Sequence, residues 1–330
     1  MSVELVHVMR GGEVESIHRG DIVGVDKEGK ILFEYGCGSK RTFWRSSAKP
    51  VQVIPFIEAG GLEHFDIESK ELALMTSSHG GEPDHVQVLK GLLGKLNKRV
   101  EDLDCGVSRP MYEGEYRRML KADLSFSQAN NPCSGKHSNM LGLGILKDLD
   151  MTDYILPEHP IQQIMIGIAA EMTDLKKEEI DLAIDGCGVP VFGLPIYNMA
   201  IAYAKLAGPF DKSKPRQTVL KTIASAMTSQ PYYVAGTNRL DTILMEETQG
   251  RILAKLGAES VYCMSVMDQN VGIAMKTEDG GYRALDCLVP QLLYKHGYIT
   301  EDELNRINNR LRLLVKNHRG QTVGKLLACI

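Results

Sequence analysis

Arg251-Ile252-Leu253-Ala254-Lys255, Ser260-Val261-Tyr262-Cys263-Met264-Ser265-Val266-Met267 and Val271-Gly272-Ile273-Ala274-Met275-Lys276-Thr277 are three β-rich runs with short breaks between them, the pattern of an antiparallel meander. The other end of the chain reads the same way. Val3 to Met9, Val14 to Ile17, Asp21 to Val25 and Ile31 to Tyr35 alternate as strands, with Gly11-Gly12 and Asp26-Lys27-Glu28-Gly29 as turns. Between these ends the pattern is mostly helical, including Pro160 to Met172 and Val191 to Leu206. The last helix opens with Thr300 as N-cap and Glu303 three positions on, and Leu304, Ile307, Leu311 and Leu314 form its apolar stripe. Strands at both ends with helices between them predict an α+β fold, in which one antiparallel sheet is built from N- and C-terminal strands around a mostly helical inserted lobe. A single domain over 1–330 is expected, with N-terminal strands to about residue 40, a helical middle over about 45–245, and C-terminal strands and helices from about 250.

Composition narrows the function classes. With 43% hydrophobic and 24% charged residues in 330, the chain can bury a large core and lies far from the disordered regime. A formal net charge of -4 gives no pull toward phosphate, so nucleic acid is a poor partner and small-molecule chemistry the better default. No run of about eighteen apolar residues is present, so no membrane span is expected. Met1-Ser2-Val3-Glu4-Leu5 has no basic stretch leading into an apolar one, and the 7 cysteines have no close pairs. Both features point to free thiols in the cytoplasm.

Four constellations, spread over five segments, could carry chemistry. In Arg45-Ser46-Ser47-Ala48-Lys49-Pro50, a helix starting near Ser46 puts Lys49 one turn on and on the same face, where a neutral amine could take the serine proton. Alone, this spacing is common and also describes a solvated helix start. Lys255-Leu256-Gly257, a K-x-G at the end of a predicted strand, strengthens the chemical reading, because penicillin-recognising enzymes pair an early S-x-x-K with a late K-T-G. Thr76-Ser77-Ser78-His79-Gly80-Gly81-Glu82-Pro83 places small residues and a histidine on a loop, with Pro83 and Glu82 suited to the start of a helix from about Val86 to Leu93. Its plain alternative is a capped loop with a solvent-facing histidine. Asn130-Asn131-Pro132-Cys133-Ser134-Gly135-Lys136-His137 and Asp185-Gly186-Cys187 each hold a cysteine in a turn, but without C-x-x-C spacing buried inert thiols explain them as well as zinc does.

Taken in order, Arg45-Ser46-Ser47-Ala48-Lys49, Ser77-Ser78-His79-Gly80-Gly81-Glu82, Cys133-Ser134-Gly135-Lys136-His137, Asp185-Gly186-Cys187 and Lys255-Leu256-Gly257-Ala258-Glu259 resemble the successive signatures of the bacterial asparaginase II family. The resemblance runs from about residue 3 to the end of the chain. It implies a fold similar to serine β-lactamases and glutaminases, a homodimer, and hydrolysis of L-asparagine to aspartate and ammonia. By matching motif, Ser46 with Lys49 and Ser78 with Lys255 resemble two serine–lysine pairs. Cys133, Lys136 and Cys187 resemble a zinc site whose ion is not needed for the chemical step. Ser260 departs from the pattern, which has glycine after Gly-Ala-Glu.

From these motifs Ser46 is expected to be the nucleophile, because its lysine is supplied by local helical spacing, whereas Ser78 needs a distant one. Arg45, His79, Glu82, Asp185 and Arg239 are candidates for holding the substrate, with structural ion pairing as the alternative reading. Rival functions are a glutaminase or another serine amidase of the same fold, a zinc hydrolase, and a non-catalytic, zinc-stabilised module that binds an amino acid.

Overall fold

The computed structural model describes residues 1–208 and 214–330. Its strands are β1 (Val3–Arg10), β2 (Glu13–Val25), β3 (Ile31–Tyr35), β4 (Arg41–Phe43), β5 (Asp181–Ile184), β6 (Pro190–Pro195), β7 (Ile252–Gly257), β8 (Val261–Val266), β9 (Val271–Thr277), β10 (Leu314–Lys316) and β11 (Thr322–Ala328). The main sheet is antiparallel with the order β10-β11-β1-β2-β9-β8-β7, and β3 also pairs with β2. Both termini therefore build one sheet and the helices fall between them in sequence, as the terminal strand patterns predict. No described helix is long and apolar enough to cross a membrane.

The central strands are buried on both faces, and side-chain parity sorts them. Val23, Leu253, Val261, Cys263 and Ala274 join the core beneath the helical lobe. Ile22, Ile252, Ala254, Tyr262, Met264, Ile273 and Met275 face the opposite side, against the helices Tyr282–Lys295 and Glu301–Arg310. Lys255 has the parity of Leu253, so its amine is delivered toward the lobe. Gly272 lets β9 approach the helix Ile196–Ala207, because a Cβ there would lie 1.9 Å from the Ala200 carbonyl oxygen.

Three expectations need correction. The stretch Val191 to Leu206 is not one helix: Pro190–Pro195 is a strand between β4 and β5 in a small three-stranded sheet, and the helix begins at Ile196. A short buried apolar run does not distinguish strand from helix by period, and two prolines bracket this one. The last helix ends at Arg310; Thr300 caps it and Leu304 and Ile307 are buried, but Leu311 already has extended backbone and Leu314 is an exposed residue of β10 paired with Lys325. The edge of the sheet claims what the helical period suggested. Val14 to Ile17 and Asp21 to Val25 are one continuous strand, since Gly20 fits between Val3 and Thr277 without a side chain.

Candidate active site

The Arg45–Ala48 turn is clamped from three directions. The Trp44 amide donates to the Phe192 carbonyl at 2.8 Å, the Ser47 hydroxyl donates to the Lys255 carbonyl at 2.9 Å, and the Tyr203 hydroxyl donates to the Ser47 carbonyl at 2.7 Å. Gly257 allows β7 to come this close, because a Cβ there would stand 2.9 Å from both the Ser47 hydroxyl and the Trp44 carbonyl oxygen. Arg45 has φ of 52°, a left-handed conformation that a non-glycine residue keeps only when its surroundings hold it. The short helix Lys49–Gln52 follows, with Pro50 in its first turn as the sequence suggests.

Helical spacing does not deliver Lys49 to Ser46 in this structure. The Lys49 amine donates to the Ser77 carbonyl, to the Ser78 hydroxyl at 3.1 Å and to the Pro132 carbonyl at 2.9 Å. The Lys255 amine meets the same Ser78 hydroxyl at 3.0 Å and also donates to the Leu256 carbonyl. Ser78 is thus the shared member of both pairs. Ser46 is half-buried, lines the same cavity of about 240 Å³, and makes no side-chain hydrogen bond among the described residues.

Both lysines are buried and neither hydrogen-bonds a carboxylate. Burial disfavours the charged amine, so Lys49 is held below its ordinary value. For Lys255 burial lowers the amine to about 7, opposed by Asp241 and assisted by the charges of Lys49 and Arg239. Asp241 is the counterweight: it is buried, accepts the Leu256 amide at 3.0 Å, and sits 4.0 Å from the Lys255 amine. A hydroxyl between two buried amines can hand a proton from one to the other.

The family model of L-asparaginase II matches residues 6–328. The chain belongs to the L-asparaginase II family. Comparison with curated proteins found no match. Among solved structures, the family member is similar to a protein from Bacteroides dorei DSM 17855 proposed to be a β-lactamase, at 12% identity and a TM-score of 0.43 over 78% of this chain and 84% of that one. It is also similar to a β-lactamase from Mycobacterium bovis, at 10% identity and a TM-score of 0.42 over 85% and 95%.

In this L-asparaginase II chain the other site residues separate into those at the cavity and those behind it. Arg45, Asp185 and Arg239 line the cavity with Ser46 and Ser78. Arg45 donates to Asp185 at 2.9 Å and is already paired, whereas the Arg239 guanidinium has no hydrogen bond or ion pair among the described residues. His79 and Glu82 do not line the cavity. His79 is fully buried; its Nδ1 accepts the Gly81 amide at 3.1 Å and its Nε2 bonds the Ser134 hydroxyl at 2.8 Å, so it fixes the loop as a neutral ring. Burial and the nearby His85 hold it well below the usual histidine value. Glu82 stands at the N-cap position of the helix Pro83–Lys95 without a side-chain capping bond; its carboxylate instead accepts the Thr237 amide at 2.9 Å and hydroxyl at 2.6 Å, tying the Ser78 loop to the segment that carries Arg239.

Cys133, Lys136 and Cys187 do converge, and Asp185 joins them. The ligand atoms of Cys133, Asp185 and Cys187 all lie within 4.8 Å of one another, and the Lys136 amine is 3.0 Å from the Cys187 sulfur. Hydrogen bonding from Cys133 lowers the Cys187 thiol to about 5 despite burial, and Lys136 assists; the same contact raises Cys133, so the pair keeps one proton on Cys133. Burial opposes the charge of Lys136, but the Cys187 and Cys133 sulfurs and Asp185 more than offset it and keep the amine protonated. Asn131 fixes this turn by accepting the Cys133 amide at 2.8 Å.

Asp241 escaped the sequence reading, as did the metal-side position of Asp185; neither sits in a local motif that signals its partner. Ser260, where the resemblance leads one to expect glycine, has φ of 60°, in the left-handed region that glycine occupies most easily.

Proposed function

We propose that this protein hydrolyses free L-asparagine to L-aspartate and ammonia through an ester on Ser46, with Ser78 as a proton relay between Lys49 and Lys255. Family membership supports an L-asparaginase-type activity on amides. The observation that carries the finer reading is the Ser78 hydroxyl held by two buried amines beside an unengaged Ser46. The Ser78 oxygen has both lysines on it, whereas the Ser46 oxygen is free to face a carbonyl carbon.

In the first half-reaction neutral Lys49 keeps its two N–H bonds on the Ser77 and Pro132 carbonyls and turns its lone pair from the Ser78 hydroxyl to Ser46, which gives up its proton and forms a bond to the side-chain amide carbon. The carbonyl π electrons move to oxygen. The Ser46 amide, at the start of its turn, and an amide at the end of the Lys255 strand are suited to receive that charge, the Leu256 amide being bonded to Asp241. Collapse expels the amide nitrogen, which leaves as ammonia after receiving one proton through Ser78. Water then attacks the ester, its proton follows the same route back to Ser46, and aspartate departs. Arg239 is the cation left free to hold the α-carboxylate, because Arg45 is committed to Asp185.

The donors at Cys133, Lys136, Cys187 and Asp185 fit zinc, two sulfurs being well suited to it. A bound ion would replace the Lys136 proton and supply fixed positive charge beside the cavity while stapling two distant turns. Cys187→Ser is expected to lower zinc content and thermal stability yet retain measurable turnover, read by metal analysis together with ammonia release. Complete inactivation by a chelator, reversed by zinc, would place the chemistry on the metal. The homodimer belongs to the same proposal and is read by sedimentation of the purified protein.

Turnover requires amines able to accept a proton, so activity should fall as pH drops through about 7, where Lys255 becomes charged. Asp241 favours that charged form, so Asp241→Asn should move this acid limb to lower pH. An unmoved limb in the kcat/KM profile would remove Lys255 from the titration. A coupled ammonia-release assay across asparagine, glutamine and simple peptides tests the substrate. Free asparagine should be turned over fastest, and equal rates with blocked or peptide-bound asparagine would contradict the reading.

A further inference from the structure

A second cavity, of about 360 Å³, opens beside the active-site cavity, and Met111, Arg239, Leu256 and Tyr282 line both. One face of the helix Tyr282–Lys295 forms its wall, where Tyr282 and Asp286 stand one turn apart. The two carboxylates lining these cavities are in opposite conditions. Asp185 is bonded to Arg45 and lies 3.7 Å from the Lys136 amine. The Asp286 side chain has no hydrogen bond or ion pair among the described residues. The fully buried Tyr262 also lines this space, and its hydroxyl makes no well-formed hydrogen bond, the Asp241 carboxylate being its polar neighbour. Unpartnered buried polar groups are costly and mark places where a ligand supplies the missing partner.

We propose that Asp286 is a substrate-specificity residue that receives the α-ammonium of the amino-acid substrate, so that the head group lies between Arg239 and Asp286 while the side-chain amide lies against Ser46 and Ser78. This rests on the asparagine reading above and adds the group that reads the amine. Arg239 borders both cavities and serves as the hinge point: its guanidinium takes the carboxylate, and the ammonium falls toward Asp286 on the far side. Burial raises the Asp286 carboxyl to about 6, with Arg239 and Arg312 opposing. It is therefore ionised at neutral pH and gains most from a cation brought to it. Of the other nearby acids, Glu82 accepts from Thr237, and Asp241 lines neither cavity: it accepts the Leu256 amide on one oxygen, has its other oxygen buried without a hydrogen bond, and lies 4.0 Å from the Lys255 amine.

Truncated substrates test this directly. Succinamate is asparagine without its amine, and β-alaninamide is asparagine without its carboxylate. Asp286→Asn should lower kcat/KM for asparagine by about ten- to a hundred-fold, mainly through KM, the range of a lost hydrogen bond to a charged group. Succinamate hydrolysis by the same variant should stay within about two-fold of wild type, which also shows that the variant is folded. Arg239→Gln should impair asparagine and succinamate but spare β-alaninamide. Equal losses on asparagine and succinamate in Asp286→Asn, or no loss on asparagine, would overturn the assignment of Asp286 and leave the asparagine reading standing. A wild-type protein that released no ammonia from asparagine would overturn both.

Discussion

Ser46→Ala is expected to lower kcat by about four to six orders of magnitude, the range seen when the attacking group of an acyl-enzyme is removed. No other hydroxyl in the cavity is equivalent. The Ser78 oxygen is 3.1 Å from one lysine amine and 3.0 Å from another, so turning it onto a substrate would break both contacts. The Ser46 oxygen breaks none. The fold should survive, because the turn is held by Trp44, Ser47 and Tyr203 and not by the Ser46 side chain. Unchanged thermal unfolding alongside the rate loss is the expected pair of results.

Lys255→Met should cost about a hundred- to ten-thousand-fold in kcat, the usual worth of a positioned acid or base. Methionine retains most of the apolar stem, so packing beneath the lobe is disturbed little. The loss should appear in the steps where protons move to the departing ammonia and from water. Acyl-enzyme formation from an analogue with a better leaving group than ammonia should therefore suffer less than asparagine hydrolysis. A variant equally slow on both would place Lys255 in the attack itself. Removing the lysine also leaves Asp241 buried without its neighbouring cation, so some stability should be lost; a smaller rate effect in Asp241→Asn separates the two contributions.

Much of the fold could be read from period alone. The meander over 251–277 reads as three short β-rich runs because its strands are buried on both faces of one sheet, and short breaks separate them. Val191 to Leu194 and Leu311 to Leu314 mislead for a common reason: their state is set by strand pairing that hydrophobic period does not reveal, with the neighbouring β5 and the distant β4 for the first and with β11, just beyond it, for the second. The candidate site divides in the same way. Ser46, Lys49, Ser78 and Lys255 sit in recognisable motifs and do gather, but the direction of Lys49 is decided by the Ser78 loop and the Pro132 carbonyl rather than by its own helix. Cys133, Lys136 and Cys187 were legible only through family resemblance, since three-dimensional closeness replaces regular ligand spacing. Asp241 and Asp286 are single acidic residues on helices, and only burial and missing partners reveal them.

Rate constants alone do not separate Ser46 from Ser78, because losing a relay and losing a nucleophile can look alike at steady state. Covalent labelling does. The protein is incubated with a reactive asparagine analogue, its intact mass is measured, and the label is located by peptide mapping in wild type, Ser46→Ala and Ser78→Ala. One label on Ser46 is predicted, absent from Ser46→Ala and formed slowly in Ser78→Ala. A label on Ser78, or one that persists in Ser46→Ala, would contradict the account.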